Sequence, residues 1–130
     1  MRKSVFRGWD ATGQKGWVFG DLVHVKGISK YAEKDLYDRI MVGGYEVVPD
    51  SIGQFAGLHD EAGNRIFEGD IVEWKKDGKK YLVVFRSGMF YASVEEFNEN
   101  VYGGFPLWFL CEEEQHCNVI GTIYEQRKEK

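Results

Sequence analysis

Short runs of β-branched and aromatic residues recur along this chain, separated by Gly, Asn and Asp, and that pattern predicts a mostly β protein. Val5, Arg7 and Trp9 share one face of a first strand over Ser4–Trp9, followed by a turn at Asp10-Ala11-Thr12-Gly13. Trp17, Phe19 and Asp21 alternate with Val18 and Leu22, which predicts a second strand over Trp17–Val25, paired with the first as a hairpin. The stretch from Gly27 to Gly44 carries two periods at once. Ile28, Ala32, Leu36 and Ile40 repeat as on a helix face, while Leu36, Asp38, Ile40 and Val42 alternate as in a strand. The expectation is an irregular excursion ending in a strand, because Gly43-Gly44 then makes a turn. Tyr45–Val48 reads as extended, since Pro49 disfavours helix in the residue before it.

Beyond Pro49 the punctuation sharpens. A strand over Ile52–Leu58 precedes a turn at Asp60–Asn64, and Arg65-Ile66-Phe67 leads into a second turn at Glu68-Gly69-Asp70. Ile71–Trp74 and Tyr81–Phe85 flank Asp77-Gly78, a dipeptide whose backbone suits a hairpin turn. Gly88 closes that pair and Met89–Ala92 begins another strand. Ser93-Val94-Glu95-Glu96 has the spacing of a capping box and predicts one short helix, with Val94 and Phe97 on one side. Leu107–Cys111 and Val119–Tyr124 are expected as the last two strands, and Gln126–Lys130 as a frayed polar tail.

Composition narrows the class. The 130 residues make one domain, or one core with a smaller appendage. An apolar share of 43% with 29% charged residues excludes a disordered or collagen-like chain. No apolar run reaches the length of a membrane span, and Arg7 interrupts the place where a signal peptide needs its apolar segment. Net charge is −4 and uneven: residues 1–48 carry 8 basic and 6 acidic groups, residues 49–130 carry 9 and 15. That acidic balance argues against DNA binding driven by phosphate contacts, though not against a local basic patch. Two cysteines in a chain without an export signal are expected as free thiols in a reducing cytoplasm.

Each candidate for chemistry has a plainer structural alternative. Cys111, His116 and Cys117 are the closest soft metal ligands, but zinc needs a fourth donor from His24, His59 or Glu112, Glu113 and Glu114. Strand ends explain both cysteines as well. His59-Asp60 suits an oriented base with Ser51 or Ser87 as nucleophile, yet neither serine sits in a nucleophile-elbow sequence. Glu68 and Asp70 flank a Gly, which fits a turn better than paired carboxylates facing a cleft. Neither a Walker loop nor a G-x-G-x-x-G run occurs. Lys75, Lys76, Lys79 and Lys80, flanked by Trp74 and Tyr81, form the densest basic patch. They suit either single-stranded nucleic acid held by charge and stacking, or a solvated hairpin tip. Val101–Phe109 is the most apolar segment. Tyr102, Phe105, Leu107 and Trp108 either cap the core or form an interaction surface.

Three stretches go beyond general β character. They are Thr12-Gly13 with Trp17-Val18-Phe19-Gly20-Asp21-Leu22; Val48-Pro49-Asp50-Ser51-Ile52-Gly53-Gln54-Phe55-Ala56-Gly57-Leu58-His59-Asp60 running on through Gly63-Asn64-Arg65-Ile66-Phe67-Glu68-Gly69-Asp70-Ile71-Val72; and Asn118-Val119-Ile120-Gly121-Thr122-Ile123-Tyr124-Glu125. Together they resemble the YopX family of phage and prophage proteins. Ala56 replaces a common Thr, and Asp50-Ser51 a usual Glu-Thr. The resemblance implies a small, mostly β protein, often homo-oligomeric, whose C-terminal part is similar to a Src-homology-3-like barrel. It brings no catalytic residues and no cofactor. The resulting expectation is an N-terminal β hairpin region over 1–48 and a small barrel over 49–130, with one short helix. Its function is a non-enzymatic, homo-oligomeric interaction protein in the host cytoplasm, with a host or phage protein as a further partner class. Nucleic-acid binding by the small barrel is the alternative.

Overall fold

The computed structural model describes residues 5–28, 36–94, 96–97 and 103–128. The fold is mostly β, with three antiparallel sheets and two short α-helices. The chain forms two compact units, Met1–Gln54 and Phe55–Lys130.

In the first unit, β1 (Phe6–Trp9) and β2 (Trp17–Gly20) pair in the expected hairpin, with Trp9 opposite Trp17. The strand expected to run on to Val25 instead breaks after Gly20, whose φ of 147° turns the chain before β3 (Leu22–Ile28). β3 pairs along its whole length with β4 (Leu36–Val42), so the alternating period prevails there over the helical one. β5 (Tyr45–Glu46) follows the Gly43-Gly44 turn and completes the sheet order β3-β4-β5. Gly43 is fixed by sterics: at φ 59° a side chain is strained, and a Cβ would collide with the Phe19 carbonyl oxygen. A 3-10 turn over Pro49–Ser51 leads into β6 (Gly53–His59), whose Gly53 and Gln54 pair with β1. Val18, Val42 and Val47 form the core of this unit, with Phe6, Ile40 and Ile52 packed against them.

In the second unit, the rest of β6 pairs with β7 (Arg65–Phe67). β8 (Asp70–Trp74), β9 (Lys79–Arg86), β10 (Met89–Ser93) and β11 (Gly104–Pro106) run as a meander, and β12 (Cys117–Thr122) returns to pair with β8. The sheet order is β11-β10-β9-β8-β12, and among the described residues no sheet closes into a barrel. Gly104 allows the close approach of β11 to β10, where a Cβ would strike the Ala92 carbonyl. Ile66, Val72, Tyr81, Val83, Ala92, Leu107, Leu110 and Cys117 make the core. Burying each of its large side chains is worth about 1.5–3 kcal/mol.

Two expected strands are corrected. Leu107–Cys111 is not a strand: α1 (Leu107–Leu110) occupies it, and the Cys111 N–H donates back to the Leu107 and Trp108 carbonyls. Pro106 ends β11, and one helical turn then buries both Leu107 and Leu110, which an alternating strand could not do from one face. The last strand starts earlier and stops sooner than expected, at Cys117–Thr122, and the supposed frayed tail begins within α2 (Ile123–Lys128). The Thr122 Oγ1 accepts the Glu125 N–H at 3.0 Å, which caps that helix. The helix expected after Ser93 falls partly outside the described residues. Ser93 itself ends β10, and the Phe97 N–H closes a turn onto the Val94 carbonyl at 3.0 Å.

Candidate functional site

Of the four apolar candidates, Leu107 is fully buried and Phe105 is half-buried among aromatic rings, while Tyr102 lies outside the described residues. The Phe105 ring lies 5.0 Å from Trp74, 6.0 Å from Tyr81 and 5.8 Å from Phe109. Trp108 differs: it is 52% exposed, although its helix is anchored on both sides by Leu107 and Leu110. Its ring meets Phe109 edge-on at 6.2 Å. A large amphipathic ring is thus displayed on a backbone that the core holds still. Two more large apolar side chains of this unit, Phe85 on β9 and Ile120 on β12, are also exposed. The sequence reading missed both. Each sits in a strand beside only half-buried or exposed residues, which leaves no pattern in the sequence to single it out. Phe85 stands opposite Phe90 across the β9–β10 pair, with rings 4.9 Å apart.

The basic candidates Lys75, Lys76, Lys79 and Lys80 are all exposed around the β8–β9 turn. Asp77 builds that turn: its Oδ1 accepts the Lys79 N–H at 2.8 Å and its Oδ2 accepts the Tyr81 hydroxyl. Burial, then this bond to Asp77, pushes the Tyr81 phenol well above its usual range. Tyr81 is therefore closed to base stacking, and Trp74 is half-buried with its ring against Tyr81, Phe105 and Phe109. The hairpin offers charge without the aromatic platforms expected beside it.

The two cysteines do come together. Cys111 caps the end of α1 and Cys117 opens β12, and their sulfurs lie 4.0 Å apart as free thiols. They line a cavity of about 330 Å3 with Asp60, Glu61, Leu110, Glu112, Glu113 and His116. The Glu61 carboxylate accepts from Asn118 Nδ2 at 3.1 Å and meets His116 Nδ1 at 3.0 Å. The bond from Asn118, and then the one with His116, hold the Glu61 carboxyl below its usual range. His116 takes φ 57° to make this approach. Among the described residues, no three His, Cys, Asp or Glu side chains are grouped so as to hold a metal ion.

Of the remaining candidates, Asp60, Ser51 and Asp70 bind backbone groups. Asp60 Oδ1 accepts the Asn64 N–H at 2.8 Å and Oδ2 accepts the Val119 N–H at 3.0 Å. His59 is exposed and packs edge-on against Phe55. Ser51 donates its hydroxyl to the Val48 carbonyl and accepts the Trp9 N–H at 2.7 Å. Ser87 sits in an exposed turn at φ 53°. Asp70 is buried, with Oδ2 accepting the Phe67 N–H at 2.7 Å, so the Glu68-Gly69-Asp70 run is a turn. Among the described residues, no helix is long and apolar enough to cross a membrane.

Comparison with known proteins agrees with this architecture. The crystal structure of protein EF1440 from Enterococcus faecalis is similar over 98% of both chains, at 21% identity and a TM-score of 0.54. At that identity the likeness is one of fold. No curated protein matches the sequence. The model of the family described as YopX protein matches residues 5–128, and on that match the chain belongs to the YopX family.

Proposed function

We propose that this protein is a non-enzymatic interaction protein of phage or prophage origin, which self-associates through the surface around Trp108, and that its second unit is a small Src-homology-3-like barrel. The barrel reading is supported by strand order: a four-strand meander, one helical turn, and a fifth strand returning to the first. The single observation behind the interface is the 52% exposure of Trp108 on a helix that Leu107 and Leu110 anchor in the core. Tryptophan at the centre of a contact contributes more than most residues, because it brings large area at low rotamer cost. The test is Trp108→Ala, read by light scattering for assembly mass and by circular dichroism for fold. A smaller assembly with unchanged fold is expected, and a folded variant of unchanged mass overturns the reading.

The second reading is nucleic-acid contact by charge at Lys75, Lys76, Lys79 and Lys80, favoured by the exposure of all four. It requires affinity that falls steeply with salt and weakens when the lysines are neutralised. Binding indifferent to salt rejects it.

A further inference from the structure

We propose that Cys111 and Cys117 are a redox-active pair, which closes to a reversible intramolecular disulfide when a small hydroperoxide enters the acidic cavity that both sulfurs line. The inference stands apart from self-association at Trp108, because its readout is the thiols and not the assembly mass.

Three observations carry it. First, both sulfurs are brought together by held backbone. Cys111 is tied by its N–H to Leu107 and Trp108 at 3.2 Å, and Cys117 by its place opposite Trp74 in the sheet and by its carbonyl accepting the Glu61 N–H at 3.0 Å. A separation of 4.0 Å is too long for a bond, but side-chain rotation can close it to the roughly 2.05 Å of a disulfide. Second, the pair is reachable: Cys117 is only 1% exposed, yet it shares the wall of a cavity of about 330 Å3 with half-buried Cys111. Third, the cavity selects the oxidant. Asp60, Glu61, Glu112 and Glu113 line it against one His116, so an anionic disulfide such as oxidised glutathione is repelled while a neutral peroxide is not. A single S–H between the two sulfurs stabilises one thiolate of the pair, and this bond raises the Cys111 thiol and lowers that of Cys117, so one sulfur is the better nucleophile.

The chemistry balances in two steps. The Cys117 thiolate attacks a peroxide oxygen: an S–O bond forms, the O–O bond breaks, and the departing oxygen takes a proton and leaves as water. Cys111, giving up its proton, then attacks the sulfenic sulfur; an S–S bond forms, the S–O bond breaks, and a second water leaves. The two thiols together lose two electrons and two protons, and hydrogen peroxide is reduced to two waters.

The test treats the full chain with hydrogen peroxide and, separately, with oxidised glutathione. Peroxide should abolish both free thiols, lower the chain's mass by two hydrogens without covalent dimerisation, and be fully reversed by dithiothreitol. Cleavage after Glu112, Glu113 or Glu114 should then leave two peptides joined only through the sulfurs. Oxidised glutathione should leave the thiols free. Cys111→Ser, or Cys111→Ala should that variant fold poorly, should stop at a Cys117 sulfenic acid captured by dimedone. Thiols that persist in peroxide, a disulfide that joins two chains, or a glutathione adduct on either cysteine would overturn the proposal.

Discussion

Burial alone raises the pKa of the Asp60 carboxyl, yet the backbone N–H groups of Val119 and Asn64 and the Asn64 amide outweigh it and hold the group below its ordinary 3.8. A folded-state value below the unfolded one means stability that is fully present above the unfolded value and is lost as pH falls through the folded one. Asp60→Ala strips a buried acceptor from two backbone donors and should cost about 1–3 kcal/mol at neutral pH. The gap to the wild type should begin to narrow as pH falls below about 3.8, where the unfolded carboxyl starts to take up a proton that the folded one still refuses. Urea unfolding at pH 7 and pH 3 checks this, and an equal gap at both would refute it. Gly43→Ala should also destabilise, by more than about 1 kcal/mol, because a left-handed φ and the Phe19 carbonyl both oppose a Cβ.

Among the elements, α1 separates packing from display within one helical turn. Leu110→Ala should cost about 2–5 kcal/mol, since it empties a fully buried site, whereas Trp108→Ala should change stability by roughly 0.5 kcal/mol or less. Thermal melts of the two variants decide it, and comparable losses would mean that Trp108 packs rather than projects. The same helix shows where sequence patterns stop being informative. Asp77-Gly78 announced its hairpin because the turn chemistry is local, and β4 followed the alternation of Leu36, Asp38, Ile40 and Val42. Leu107–Leu110 holds four apolar residues in a row, which satisfy a strand and a helix equally, and its choice is made by what Leu107 and Leu110 must both reach. At α2 a local signal did exist: Thr122 and Glu125 have the spacing of a capping box, the same spacing read as a helix start at Ser93.

Across the whole molecule, protection should be uneven. β9 is flanked by β8 and β10 and carries Tyr81, Leu82 and Val83 into the core. β3 ends its sheet with Leu22, Val23 and His24 exposed, and the first unit's core is three valines with a few half-buried neighbours. Amide exchange should therefore be orders of magnitude slower in β9 than at the β3 edge, and equal protection would mean that something covers that edge. The candidate site was legible only in part for a related reason. The proximity of Cys111 to Cys117 could be suspected from six positions of separation, but the acidic wall from Asp60 and Glu61 comes from a distant turn that no local pattern reports. The return of β12 to β8 also sets an order of events during synthesis. β8, β9 and β10 leave the ribosome well before Cys117–Thr122, so one edge of β8 has no partner until the last part of the sheet is translated. A chain stalled before Cys117 would present that bare edge to any neighbouring nascent strand, which makes the speed of the final stretch of translation a determinant of soluble yield.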